Sequence, residues 1–186
     1  EKTLTFTLDT LKPDAPVLTL GSGVANGATQ AEAKQPSGVF TVRAESDAEI
    51  TLVLTSDLDP LKTVTKPVFI VSGSSQAVTL TDADIATLGN GLIHVQATAT
   101  DKAGNVSDAG TSSFTLDTIN PQVNPVTDNI TVTPDITKDA VTFTVTFSEK
   151  LSADLTASNF EAVKGTLGAV TKVTGTDATY TVVVTD

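Results

Sequence analysis

The sequence predicts an all-β protein of two tandem β-sandwich modules, the second of which stops before it is complete. The β-branched residues Val and Thr alternate along stretches such as 39–42 and 180–185, as they do in half-buried strands. A short junction sequence also occurs twice, which indicates a tandem array. Aromatic residues make up only 4% of the chain and Trp and Met are absent, so Val, Leu, Ile and a few Phe must form the cores.

The repeated junction sets the module length. Residues 5–13, TFTLDTLKP, return at 113–121 as SFTLDTINP, which is an offset of 108 residues. This period is too long for a solenoid turn and fits a whole folded domain. We therefore predict module one at 9–117 and module two at 118–186, with residues 1–8 as the last strand of a preceding repeat.

Module one contains short apolar runs separated by turn residues, as in a sandwich. Thr81 is followed three residues later by Asp84, which predicts one helical turn between the fifth and sixth strands. The seven predicted strands lie near 15–20, 38–44, 49–55, 62–71, 76–80, 92–100 and 111–116.

Module two begins in the same way but is shorter. The chain continues for 69 residues after Asp117, against a period of 108, so we expect roughly the last two of seven strands to be missing. Either an artificial cut or an inserted domain would explain this. An open sheet edge would follow, with weak self-association through it. The predicted strands lie near 130–133, 140–147, 159–163, 169–173 and 179–185.

Composition argues against several classes of function. The net charge of −11 and the pI near 4.3 argue against nucleic-acid binding, which needs clusters of Lys and Arg. No run of 18 apolar residues is present, so we expect no membrane insertion, and the first residues lack the pattern of a signal peptide. We interpret the chain as an internal fragment. Cysteine is absent, and bound metal is a common alternative clamp for small modules.

Sandwich topology brings carboxylates together. In module one the junction 9–14, the loop 44–47 and the loop 101–108 should meet at the pole where the chain enters. Gathered carboxylates repel one another unless a cation is present, and Ca²⁺ accepts 6–8 oxygens in flexible geometry. The candidate ligands are Asp9, Asp14, Glu45, Asp47, Asp101 and Asn105, with Asp117 and Glu149 in similar places in module two.

The alternative for the 101–108 loop is a capped turn. Gly104 permits a tight turn, and Asp101 and Asn105 could bond only to their own backbone. In module two the third loop is missing, so we expect weaker calcium binding there.

Residues for other chemistry are scarce. His94 is the only histidine, and strand alternation places it opposite Ile93 and Val95, facing solvent. With no second histidine and no cysteine, the sequence lacks the usual residues of a zinc site or a His-assisted nucleophile. We expect no enzymatic activity.

The segment 88–107 contains Thr-Asp-Lys-Ala-Gly-Asn at 100–105, and Asp-Thr-Ile-Asn-Pro follows at 117–121. These motifs resemble the bacterial Ig-like repeats of giant repeats-in-toxin surface adhesins, and 141–149 and 155–160 resemble another branch of bacterial Ig-like domains. The resemblance implies Ig-like Greek-key sandwiches in an extracellular extender region. Such a region projects a ligand-binding part from the cell, has neighbouring repeats as partners, and uses calcium to stiffen its joints.

Two functions remain open. Prolines at 13, 16, 121 and 125 limit backbone freedom at both junctions and favour a structural spacer. The alternative is a module that itself binds a carbohydrate or a protein, although Tyr180 is the only Tyr or Trp that could form a sugar platform.

Overall fold

The computed structural model describes residues 3–22, 24–69, 73–130 and 139–186. The chain divides into two compact units, Glu1–Ile119 and Asn120–Asp186. In the described residues every sheet is antiparallel and helices are short, which confirms the all-β prediction. No helix in these ranges is long and apolar enough to cross a membrane.

Unit 1 is a two-layer sandwich. Its described strands are β1 (Val17–Leu20), β2 (Phe40–Arg43), β3 (Glu49–Ser56), β4 (Thr63–Phe69), β5 (Gln76–Val78), β6 (Gly91–Thr100) and β7 (Gly110–Leu116). One sheet has the order β1-β2-β5 and the other has the order β4-β3-β6-β7. All seven predicted strands are present, although 70 and 71, the end of the predicted fourth strand, lie outside the described residues.

Strand alternation produces the core between these sheets. Along β3 the side chains of Ile50, Leu52 and Leu54 are fully buried, while Glu49 and Thr51 face outward. Phe40 in one sheet packs against Phe114 in the other, and their ring centroids are 6.4 Å apart, in the usual range for aromatic pairs. The core is thus the thin aliphatic layer that the composition predicts.

Short helices connect the strands. The predicted turn is α2 (Asp82–Leu88): the Thr81 hydroxyl accepts from the Asp84 backbone N–H, and the Asp84 carboxylate accepts from the Thr81 N–H. A 3-10 helix at Val24–Asn26 and α1 (Gln30–Ala33) were not predicted from the sequence.

Unit 2 has one sheet among its described residues. Strands β8 (Thr127–Asp128), β9 (Val141–Thr146), β10 (Thr166–Lys172) and β11 (Thr179–Thr185) form the order β10-β11-β9-β8. The Tyr180 ring is buried, packs edge-on against Phe147, and its hydroxyl donates to Asp154 over 2.9 Å.

Two strands predicted for unit 2 are not found among its described strands. The strand at 159–163 is wrong: Ala157–Asn159 is a 3-10 helix, because the Asn159 side chain accepts from the Thr156 backbone N–H and starts a helical turn there. The strand at 130–133 falls mostly on 131–133, which lie outside the described residues.

Candidate functional site

Strand register brings three loops of unit 1 to one end of the sandwich. Val17 pairs with Arg43, Glu49 pairs with Thr100, and β7 begins beside the end of β6. The segments 9–14, 44–47 and 101–108 therefore project from the same end, which we call the proximal pole. They carry six carboxylates and two lysines.

Hydrogen bonds tie the incoming chain to both loops. The Asp14 backbone N–H donates to Glu45 Oε1 over 3.2 Å, and Asn105 Nδ2 donates to the Asp9 carbonyl oxygen over 3.2 Å. The Lys12 ammonium lies 2.6 Å from Asp108 Oδ2. Each loop that the topology argument selected thus contacts the junction directly.

A glycine allows the incoming chain to lie against β7. A Cβ added at Gly110 would stand 1.9 Å from the carbonyl oxygen of Pro16, far inside van der Waals contact. The first residue of β7 must therefore lack a side chain, and the chain entering β1 is held close to the loop 101–108.

Asp101 organises that loop. Its Oδ1 accepts from the backbone N–H groups of Ala103 and Asn105, both over 2.8 Å, and its Oδ2 accepts from Asn105 Nδ2 over 2.8 Å. Gly104 has a φ of 93°, so the tight turn expected of it is confirmed. The hydrogen bond from the Asn105 side chain, supported by these backbone donors, lowers the pKa of Asp101 although partial burial opposes the shift. Asp101 therefore does cap a turn, as the alternative interpretation required.

The Asp101 pKa provides a test of this loop. We expect Asn105→Ala to raise the Asp101 pKa toward its ordinary value, because the largest stabilising contact of the carboxylate is removed. Since the folded-state pKa is depressed, its contribution to stability is complete above the unfolded-state pKa and is lost as the pH falls through the folded value. A carbon-detected NMR titration of the Asp101 carboxyl group measures this pKa in the variant and in the unsubstituted chain. Val106→Ala, in the same loop, should leave the titration unchanged, and an ordinary Asp101 pKa in the unsubstituted chain would contradict the geometry.

Two lysines at the proximal pole were not predicted to contribute. Lys12 pairs with Asp108, and Lys102 pairs with Asp47 over 2.8 Å, while Asp47 itself has a φ of 62°. These pairs are exposed and add little stability. Each pair occupies one carboxylate oxygen, Oδ2 of Asp108 and Oδ2 of Asp47.

The proximal pole contains the kinds of donor atoms that calcium prefers, but they are not arranged as a metal site. Carboxylates, a side-chain amide and the Asp9 carbonyl are the hard oxygen donors that Ca²⁺ prefers. Within residues 3–22, 24–69, 73–130 and 139–186, however, no three acidic or histidine side chains stand close enough together to hold a metal ion. The described side chains bond to one another and to backbone N–H groups, so a cation would require Glu45, Asp101 or Asp9 to rotate.

The second junction repeats the local geometry of the first. Asp117 Oδ1 accepts from the Ile119 N–H over 3.1 Å, as Asp9 Oδ1 accepts from the Leu11 N–H over 3.1 Å. Asp117 also donates its own N–H to the Ala28 carbonyl in unit 1. Glu149 follows β9 in unit 2 and is partly buried.

The single histidine faces solvent, as predicted. His94 Nε2 lies 2.9 Å from Asp57 Oδ1, and both side chains are about half exposed. A single exposed contact between two side chains contributes little to the stability of the fold.

A scan against protein-family models found no matching family, and a search of curated proteins found no match. Among solved structures, the chain is similar to the crystal structure of a tetra-tandem repeat in the extending region of a large adhesion protein. The two are 20% identical, with a TM-score of 0.42. The alignment covers 96% of this chain, which spans 42% of the length of that one.

Proposed function

We propose that the chain is an extender segment of a large bacterial surface adhesin, a structural spacer outside the cell and not an enzyme. The observation that carries the proposal is the path of the chain through unit 1. It arrives at the proximal pole beside Gly110, and β7 then runs the length of the sandwich to the opposite end. There Asp117 bonds to Ala28 and Thr118 bonds to the Asn90 side chain.

A module that is entered at one end and left at the other adds its length to a tandem chain. The seven residues of β7 alone span about 23 Å at the usual rise of an antiparallel strand. Neighbouring repeats of the same polypeptide are then the natural partners, and the junction bonds at Asp9 and Asp117 fix where each module begins.

Calcium is the second part of the proposal. Asp9, Glu45 and Asp101 come from the three segments that meet at the proximal pole, with Asp14, Asp47 and Asn105 as further donors. A cation among them would offset the repulsion between carboxylates and hold the junction against both loops. The effect would be a stiffer joint, which a projecting arm requires.

Burial of Tyr180 favours the spacer over a carbohydrate-binding module. Its ring is 1% exposed, so the one Tyr of the chain cannot serve as an open stacking platform. A spacer of this kind would project a separate ligand-binding region and would not bind the ligand itself.

Small-angle X-ray scattering tests the spacer directly. One, two and three copies of the chain, joined head to tail, are compared in calcium. We expect the maximum dimension to grow in proportion to the number of copies, because each module extends the path. A flexible string grows only as about the square root of its length, and that result would contradict the proposal. Saturable, calcium-independent binding to glycans or host-cell surfaces would instead favour the binding module.

A further inference from the structure

Among the described strands of unit 1, β4 is the longest that has an open edge. It is the outer strand of the β4-β3-β6-β7 sheet and has seven residues, whereas β1 and β5, the outer strands of the other sheet, have four and three. The opposite edge, at β7, is partly covered, because the Ala28 N–H donates to the Thr115 carbonyl oxygen and the Asp117 N–H donates to Ala28. Unpaired backbone groups at an open edge can pair with a strand of another chain, so β4 is the place where such pairing is expected.

Alternate residues of β4 direct their backbone groups to the open side. The Ser56 N–H donates to the Lys62 carbonyl oxygen, and the even-numbered residues of β4 continue these bonds to β3. The backbone groups of the odd-numbered residues, among them Thr65 and Pro67, therefore point away from the sheet. Proline has no N–H, so the row of free donors along this edge is interrupted at Pro67.

Lys66 places a charge on the inner face of the same strand. It lies between Val64 and Val68, which pack on the core, and its side chain is only 21% exposed. Its ammonium lies 2.6 Å from Oδ2 of Asp84 on α2, whose side chain is 16% exposed. Burial raises the pKa of Asp84, but hydrogen bonds from Lys66 and Thr81 outweigh burial and lower that pKa overall. The pair is therefore ionised at neutral pH.

A strand added beside β4 would be opposed by both residues. Its backbone acceptor opposite Pro67 would have no donor, and a buried polar group without a partner costs about 1–3 kcal/mol. The added strand would also remove the remaining water from the Lys66 ammonium, and desolvating a charge is costly even within an ion pair. Prolines and inward-pointing charges are among the features by which natural sheets avoid pairing at their edges.

We propose that Lys66 and Pro67 block strand addition at β4, so that copies of this chain do not pair edge to edge through unit 1. The partner that they exclude is a second copy, whose own β4 would otherwise add in the antiparallel direction and continue the sheet. This inference concerns the side of unit 1. It is independent of the proposed spacer role, which concerns the path of the chain from one end of the sandwich to the other.

Sedimentation velocity over a range of protein concentrations tests the proposal. Lys66→Thr/Pro67→Thr restores the missing N–H and removes the inward charge, so we expect it to self-associate with a dissociation constant at least about tenfold lower than that of the unsubstituted chain. The matched control is Thr65→Val, which raises the β-propensity of the same strand but keeps both blocking residues, and it should leave the equilibrium unchanged. A double variant that associates no more than the unsubstituted chain, or a Thr65→Val variant that associates as strongly as the double variant, would overturn the proposal.

Amide hydrogen exchange locates the contact, and Pro67→Thr alone serves if the double variant does not fold, because it keeps the Lys66–Asp84 pair. In the unsubstituted chain we expect the Thr65 amide to exchange rapidly and the Lys66 amide slowly, since only the Lys66 amide bonds to β3. In either variant the Thr65 amide should exchange at least about threefold more slowly in concentrated than in dilute solution, as edge pairing protects it. A Thr65 amide that is already protected in the unsubstituted chain, or that exchanges independently of concentration in every folded variant, would contradict the proposal.

Discussion

Replacing Leu52 with alanine should lower the free energy of unfolding of unit 1 by about 2–5 kcal/mol, the usual range for a leucine truncated in a close-packed core. Leu52 is 0% exposed and lies on β3, which is paired on both sides by β4 and β6. A strand held on both edges cannot collapse freely around a cavity, so the cost should include a cavity contribution as well as the lost transfer free energy.

Urea unfolding followed by far-UV circular dichroism measures the change. Tyr180 lies in unit 2 and is the only Tyr, with no Trp in the chain, so tyrosine fluorescence reports unit 2 and should keep its midpoint. The control is Leu61→Ala, at a side chain 91% exposed, which should change stability by no more than about 0.5 kcal/mol. Equal losses for Leu52→Ala and Leu61→Ala would contradict the packing of the sandwich.

Unit 1 was predictable because its strands obey a local rule. In β3 and β6 a buried side chain alternates with a more exposed one, so period-two patterning reveals both the strand and its inner face. The helix α2 was predictable because the Thr81 and Asp84 capping pair is a local signal. By contrast, α1 has only four residues, too few to show a helical period.

Unit 2 shows where the same rule fails. Residues 159–163 alternate as a strand would, yet the Thr156–Asn159 bond favours a helical turn immediately before them. Local hydrogen bonding by an Asn side chain competes with strand formation, and a period-two pattern does not register that competition.

The proximal pole was predictable in its backbone but not in its side chains. Strand order alone brings 9–14, 44–47 and 101–108 together, since successive antiparallel strands return the chain to one end. The pairs Lys12–Asp108 and Lys102–Asp47 are formed by long, flexible lysine side chains. Their partners are distant in sequence, so residue spacing does not predict which carboxylate each lysine contacts. The sequence therefore identified the segments, and the structure shows which carboxylates already have lysine partners.

Because Asp101 and Asp108 lie in the same loop but have different partners, comparing them tests the calcium proposal. Asp108 has an 80% exposed side chain and pairs with Lys12, whereas Asp101 directly follows β6 and anchors the bonds that reach Asp9 through Asn105. Asp101 should therefore contribute more to a metal site at the proximal pole. Asp101→Ala and Asp108→Ala each remove one negative charge, so any difference between them reports position and not total charge.

We expect calcium to stabilise unit 1 by about 2.7 kcal/mol when its free concentration is 100 times the dissociation constant, which is typically ~10⁻⁴–10⁻³ M for extracellular modules. The gain arises because binding to the folded state alone shifts the unfolding equilibrium by mass action. Urea unfolding in calcium and in chelator should show this difference for the unsubstituted chain, a slightly smaller one for Asp108→Ala, and little or none for Asp101→Ala.

Loss of the bonds that Asp101 makes within its loop also destabilises the variant in chelator, so the quantity compared is the calcium-dependent difference within each protein. If calcium stabilises both variants equally, total charge attracts the ion and the proximal pole is not a defined site; if chelator and calcium give the same midpoint for the unsubstituted chain, the calcium proposal is wrong.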